Sequence, residues 1–313
     1  MTSAGYLRFP HLHDDLIAFT AEDDVWLAPV AGGRAWRVSA DQAQASHPRI
    51  SRDGTMVAWT CSRDGPPEVY LAGAEGGNER RLTYWGDPQT RVCGWDPAGA
   101  LLAITASGQP FSQFTWAYAL PVGGGDGGAA GADAAAGRGP RRLPFGPVSD
   151  LSVEQAGVAL LTGCMGREPA HWKRYRGGTS GRLWLAPATA GQPGGAQPDG
   201  VQTTAGPFSR VLGELAGHFS SPMLAGGRLA FLSDHEGTGN VYSCALDGSG
   251  LRRHTDHDGF YARNASTDGT RIVYHCAGDI WLLDSLDPAA EPRMLDINLQ
   301  LAGRRAGQAA GLS

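Results

Sequence analysis

The sequence predicts an all-β fold, a six-bladed β-propeller of four-stranded antiparallel blades, on three observations. The first is a repeated grammar: a short apolar run, a polar turn containing glycine, and a second run that opens with an apolar residue followed by Trp or Tyr. The pairs that register it are Val25-Trp26, Val69-Tyr70, Ala117-Tyr118, Leu183-Trp184, Val241-Tyr242 and Ile280-Trp281. The second is the apolar run ahead of each pair, at 16–19, 56–59, 101–104, 158–161, 229–232 and 272–274. The third is length. A blade takes roughly 45 residues, so six need about 270 and leave about 40 for insertions; 313 residues suit six better than seven. One blade cannot bury its faces until neighbours stack on both sides, so no unit is a domain alone. The expected organisation is one propeller over 1–298 and a linker-like tail over 299–313.

The unit from Arg228 to Thr255 states the pattern most plainly. Leu229 to Leu232 is a strand, Ser233 to Asn240 a turn, Val241 to Leu246 the next strand and Leu251 to Thr255 the last. Asp247-Gly248 supplies the tight turn between the last two, because Gly adopts positive φ without steric cost. In chain order, blade 1 covers about 5–39, with an inner strand around 7–12 and strands near 16–20, 25–29 and 34–38. Blade 2 (about 46–85) is regular and turns at Asp53-Gly54. Its last strand alternates as Arg81, Leu82, Thr83, the pattern of a half-exposed antiparallel strand.

Blade 3 (about 90–146) opens at Arg91 and departs from the repeat at GQPFSQFTWAY, residues 108–118. The GGGDGGAAGADAAAGRG stretch after it is low complexity and reads as a flexible loop, since it buries too little apolar surface to offset its chain entropy. Blade 4 (about 148–216) carries the largest insertions, at 165–181 and 189–207. The first is dense in aromatic and basic residues, which argues for order; Gly, Pro and Gln in the second argue for disorder. Blades 5 and 6 (about 218–257 and 260–298) return to the simple pattern.

Composition limits the function. With 42% hydrophobic residues, 46 Gly and 20 Pro, and no apolar run long enough to cross a bilayer, the chain reads as a soluble protein without a membrane partner. The start, MTSAGYLRFP, has no secretory signal, so a cytoplasmic location is expected. Cys61, Cys93, Cys164, Cys244 and Cys276 form no CxxC pair and read as reduced thiols packed as small hydrophobes. A formal charge of −5 argues against nucleic acid, which favours a basic face. The chain has one lysine, Lys173, and its other basic residues are arginine.

No catalytic constellation is visible: GxSxG, HExxH and a phosphate-cradling glycine loop are all absent. His254 and His257 beside Asp256 and Asp258 suggest a metal only weakly; a polar turn between blades is the better reading, and no metal or cofactor is expected. The HWKRYRGGT loop is the stretch whose composition exceeds structural need. His171, Lys173, Arg174 and Arg176 place up to four positive groups within six residues around Trp172 and Tyr175, a cluster suited to a carboxylate or an acidic peptide. The alternative is that the aromatics plug the ring while the charges pair with nearby acids. Arg91, at the start of an innermost strand, is a second candidate, its alternative being a solvated strand end. Arginine pairs at 80–81, 141–142 and 252–253 fall on fourth strands and read as outer-edge charges that discourage edge pairing.

QPFSQFTWAY in blade 3, HWKRYRGGTSGRLW in blade 4 and HFSSPMLAGGRLAFLSDHEGTGNVYSCALDGSGLRRHT in blade 5 together resemble the N-terminal six-bladed propeller of the tricorn protease family. The Ser-Asp and Asp-Gly turns are shared with TolB/WD-like repeats, whereas the HWKRYRGGT loop is specific. The resemblance implies a cytoplasmic serine peptidase that shortens oligopeptides released by the proteasome. In that family the first propeller is followed by a seven-bladed propeller, a PDZ-like domain and a catalytic core, assembled as a homo-hexamer. Nucleophile, base and oxyanion donors lie in that core and have no counterpart here, so this chain alone is expected to be inactive. The family's propeller frames a channel to the active site, and basic residues on it hold the peptide's C-terminal carboxylate. TRVCGWDP places Arg91 at that basic position, although the family type has two adjacent basic residues and this chain has Arg91-Val92. A stand-alone TolB-like scaffold that recruits a partner protein is the competing reading.

Overall fold

The computed structural model describes residues 6–40, 43–122, 139–163, 175–188 and 207–299. Its strands form six four-stranded antiparallel sheets, each built from strands consecutive in sequence, and no helix occurs among the described residues. The expected fold class is borne out. The innermost strands are Arg8–His13, Ala45–Ile50, Arg91–Trp95, Asp150–Glu154, Phe219–Ala225 and Arg263–Thr267. Each touches the next around the ring and the last touches the first, so they surround a central axis. The six registering aromatics all sit on third strands: Asp24–Pro29, Glu68–Gly73, Trp116–Leu120, Arg182–Pro187, Asn240–Cys244 and Asp279–Leu283.

The core lies between blades. Among the described residues six apolar clusters occur, one at each junction. Alternate residues of one strand serve different neighbours: in blade 1, Ile17 and Phe19 pack toward blade 6, while Ala18 packs toward blade 2. Both faces of a middle strand are therefore buried. This is why the second strands read as continuous apolar runs, where a sheet with one wet face would alternate.

A polar clamp recurs in three blades. The residue before the registering pair, Asp24, Glu68 or Asn240, is buried and accepts a hydroxyl fifteen residues later, from Ser39 (3.0 Å), Thr83 (2.5 Å) or Thr255 (2.8 Å). The same hydroxyl accepts the amide of Val25, Val69 or Val241. The clamp satisfies groups that burial would otherwise orphan, and it ties the end of the outer strand to the third.

One outer strand departs from expectation. Blade 1 uses only Trp36–Arg37 as its fourth strand, and Gly33–Arg34 pairs in parallel with Ile297–Asn298 beyond blade 6. The reason lies in Gly32. Its φ is +89°, and a Cβ there would stand 2.8 Å from the Asp296 carbonyl oxygen, so glycine lets the two segments approach. The low-complexity stretch, most of the 165–181 insertion and most of the 189–207 insertion lie outside the described residues.

Candidate functional site

The channel wall is shaped by bulges. Register shifts interrupt the innermost strands of blades 1, 2, 3, 5 and 6, whereas blade 4 pairs regularly. In four of them the bulge holds a non-glycine residue in the left-handed region: Phe9 (φ 52°), His47 (51°), Ser221 (49°) and Asn264 (48°). Pro10, Pro48 and Pro222 follow the first three. Proline lacks an N–H and so fits where the ladder is broken. Left-handed backbone strains an L-residue and persists only where surrounding structure imposes it. All four residues line one cavity on the axis, of about 320 Å³. A smaller cavity of about 90 Å³ lies further along, and Asp150 and Ser221 line both.

Arg91 faces the larger cavity from blade 3. Its guanidinium donates to the Ser149 carbonyl and lies 3.5 Å from both Asp150 carboxylate oxygens. Arg49, 7% exposed, donates to the carbonyls of Cys93 and Pro48, each at 2.9 Å. Burial draws the Arg49 pKa down to about 10, with Arg91 adding to the fall and Asp150 opposing it, so the group stays cationic at neutral pH. Burial, Arg91 and Arg49 also hold His47 well below the usual imidazole range. Its neutral ring tilts against Phe9, 4.3 Å between centroids, and its Nδ1 has no partner. Arg263 reaches the cavity from blade 6 and forms no side-chain hydrogen bond or ion pair with any described residue.

The sequence-derived candidates separate. Arg91 is in the channel. Arg176 does not line it, but its guanidinium donates to the Asp234 side chain at 2.9 Å and to the Asp234 backbone carbonyl at 3.1 Å, and Asp234 lines the cavity. Tyr175 beside it accepts from Thr179 at 3.0 Å. His171, Lys173 and Arg174 lie outside the described residues. The residues that sequence reasoning missed are His47, Ser221, Arg263 and Asn264. Their signal was available in Phe9-Pro10, His47-Pro48 and Ser221-Pro222, which recur at one place in three innermost strands.

His254 and His257 have structural partners. Ser243 Oγ and His254 Nε2 are 2.8 Å apart, the spacing of a nucleophile and its base, yet Ser243 is fully buried and also accepts from Arg228 at 2.8 Å. Burial, with Arg228 and Arg252, lowers the His254 pKa to about 4. His257 Nε2 meets the Tyr274 hydroxyl at 2.9 Å. No substrate reaches Ser243, and the two histidines face different partners. The arginine pairs on the outer strands are engaged locally: Arg81 with Glu68 and Asp64, Arg253 with Glu236 and Asp256.

Residues 4–289 match the family model described as the tricorn protease N-terminal β-propeller domain. A Streptomyces coelicolor protein named tricorn protease homolog 1 is 53% identical over 295 residues, covering 94% of this chain and 25% of that protein. A second from the same organism, named putative tricorn protease homolog 2, is 49% identical over 98% of this chain and 24% of its own length. The crystal structure of the tricorn protease superposes with a TM-score of 0.77 at 26% identity, over 97% of this chain and 27% of that one. This chain thus spans about a quarter of the length of these relatives. By the match along its length and the ring of blades it folds into, the chain belongs to the tricorn protease family and corresponds to its N-terminal β-propeller.

Proposed function

We propose that this propeller conducts oligopeptides to or from a serine peptidase core carried by the remaining domains of a tricorn-like protease, and that Arg91 receives the peptide's C-terminal carboxylate. The setting is the cytoplasm, where such a protease, a homo-hexamer when full length, shortens peptides that the proteasome releases. The propeller supplies no catalytic residue. The observation that carries the reading is the position of Arg91: an arginine on the innermost strand, facing an axial cavity beside Asp150, which Arg49 also approaches. A carboxylate suits a guanidinium because both present planar, paired groups. His171, Lys173, Arg174 and Arg176 of the blade 4 insertion are assigned to binding the same peptide, whose acidic terminus they attract.

The test compares labelled peptides with a free C-terminus and their amidated counterparts, by fluorescence anisotropy with the wild-type chain and with Arg91→Glu. The free acid binds more tightly to wild type, weakly and with salt sensitivity, since a solvent-accessible ion pair contributes on the order of 1 kcal/mol or less. Arg91→Glu removes or reverses the preference. Equal binding of acid and amide by the wild-type chain would take Arg91 out of the site.

A further inference from the structure

We propose that the channel wall opposite Arg91 is a second carboxylate position, in which Arg263 and Asn264 hold an acidic side chain of the peptide. The proposal rests on the channel reading above and adds to it a preference for peptides bearing Asp or Glu near their C-terminus.

Arg263 and Arg91 stand on blades three apart in a ring of six, so their side chains enter one cavity from opposite sides. Arg91 is held by Ser149 and Asp150, but no described residue pairs with Arg263. The two carboxylates that line this cavity are already engaged, Asp150 by Arg91 and Asp234 by Arg176. A half-buried guanidinium without a counter-ion attracts an anion more strongly than one in bulk water, because screening is weaker.

The neighbours of Arg263 are polar. Asn264 and, from the adjoining blade 5, Ser221 line the same cavity, and neither side chain hydrogen-bonds to a described residue. Asn264, Ser221 and His47 keep left-handed φ angles of 48°, 49° and 51°, a recurring distortion that brings these three residues to the cavity. His47 is 8% exposed and its Nδ1 lacks a partner. A buried polar atom without a partner marks a place where a water or ligand completes the network. Phe9 and Tyr261 add apolar flanks that a side-chain stem packs against. The Arg263 guanidinium, the Asn264 amide and, on the adjoining blade 5, the Ser221 hydroxyl form a donor set suited to a carboxylate, while a second cation stands across the cavity to take another.

The experiment measures binding of four labelled pentapeptides to the full chain by fluorescence anisotropy. They carry Glu or Gln at the penultimate positions, each as free acid and as amide. Wild type binds the Glu peptides about tenfold more tightly than the Gln peptides, the scale of one charge-assisted hydrogen bond. Arg263→Gln abolishes that ratio and leaves the acid-to-amide ratio intact, whereas Arg263→Lys keeps part of it. Asn264→Gly removes the amide, accommodates the left-handed backbone and lowers the ratio, which keeps the test decisive if Arg263→Gln folds poorly. Equal binding of Glu and Gln peptides by wild type, or a Glu preference that survives Arg263→Gln, overturns the proposal. A Glu preference that depends on Arg263, together with equal binding of free acids and amides, overturns the Arg91 reading and leaves this one standing.

Discussion

His275 shows how a single side chain records the crowding of positive charge about the channel. It is 3% exposed, its Nδ1 has no partner, and its pKa is lowered to about 3 by burial first, then by Arg263 and Arg8. The unfolded chain binds a proton on this residue near pH 6.5, and the folded chain does not until about pH 3. Protons therefore favour the unfolded state. The contribution of neutral His275 is complete above pH 6.5 and is lost progressively as pH falls toward 3, at up to about 1.4 kcal/mol per pH unit. His254, lowered to about 4, acts in the same direction. Urea denaturation at pH 7, 6 and 5 should show stability falling with pH, and His275→Gln should flatten the slope. An identical slope in that variant would mean that other groups dominate. None of this was readable from the sequence, where His275 is one more residue in an apolar run and its cationic neighbours are brought to it by blade 1 and by the start of its own blade.

At the scale of the element, the third strand is where local sequence and tertiary role coincide. The pair that opens it was legible because its first member packs into a junction and its aromatic stands opposite a second-strand residue in every blade. The clamp before the pair was less legible, since Asp24, Glu68 and Asn240 differ in type and their hydroxyl partners lie fifteen residues away. Glu68 adds an ion pair to the clamp: its carboxylate accepts from Thr83 at 2.5 Å, from the Gly86 amide at 2.8 Å, and meets Arg81 at 3.1 Å. Glu68→Ala leaves these donors without their acceptor and removes the tie between the third and fourth strands of blade 2. It should cost about 3–5 kcal/mol, as breaking a buried ionic network does. Glu68→Gln, which keeps one of the two acceptor oxygens, should lose less; equal losses would show that packing rather than hydrogen bonding holds the corner. The bulges of the innermost strands belong to this scale too. Their X-Pro dipeptides are visible in the sequence, but the left-handed residue before each proline runs against that residue's usual preference for extended backbone, and only the ring imposes it.

For the whole molecule, the question is what keeps the ring shut. Among the described residues every blade is made of consecutive strands, and none is completed by a strand from the other end of the chain. Closure instead combines the apolar junction of blades 6 and 1, where Leu295 and Leu299 pack against residues such as Leu7 and Ala35, with the parallel pairing of Ile297–Asn298 and Gly33–Arg34. Sequence periodicity reveals how many blades there are; it does not reveal the fastening, because two residues at each end carry it and neither pair has a distinctive composition. Gly32 offers a way to loosen it alone. Gly32→Ala places a Cβ 2.8 Å from the Asp296 carbonyl oxygen at φ +89°, whereas Gly76→Ala imposes nearly the same φ, +87°, in open space. Both variants bear the left-handed strain of about 1–2 kcal/mol, and only the first forces the clasp apart. Gly32→Ala should therefore lose more stability than Gly76→Ala. It should also speed hydrogen exchange at the Gly33 and Ala35 amides, which donate to Asp296 and Asn298, while the innermost strand of blade 3 stays protected. If the two substitutions cost the same and exchange at Gly33 is unchanged, the clasp contributes nothing and the apolar junction alone closes the ring.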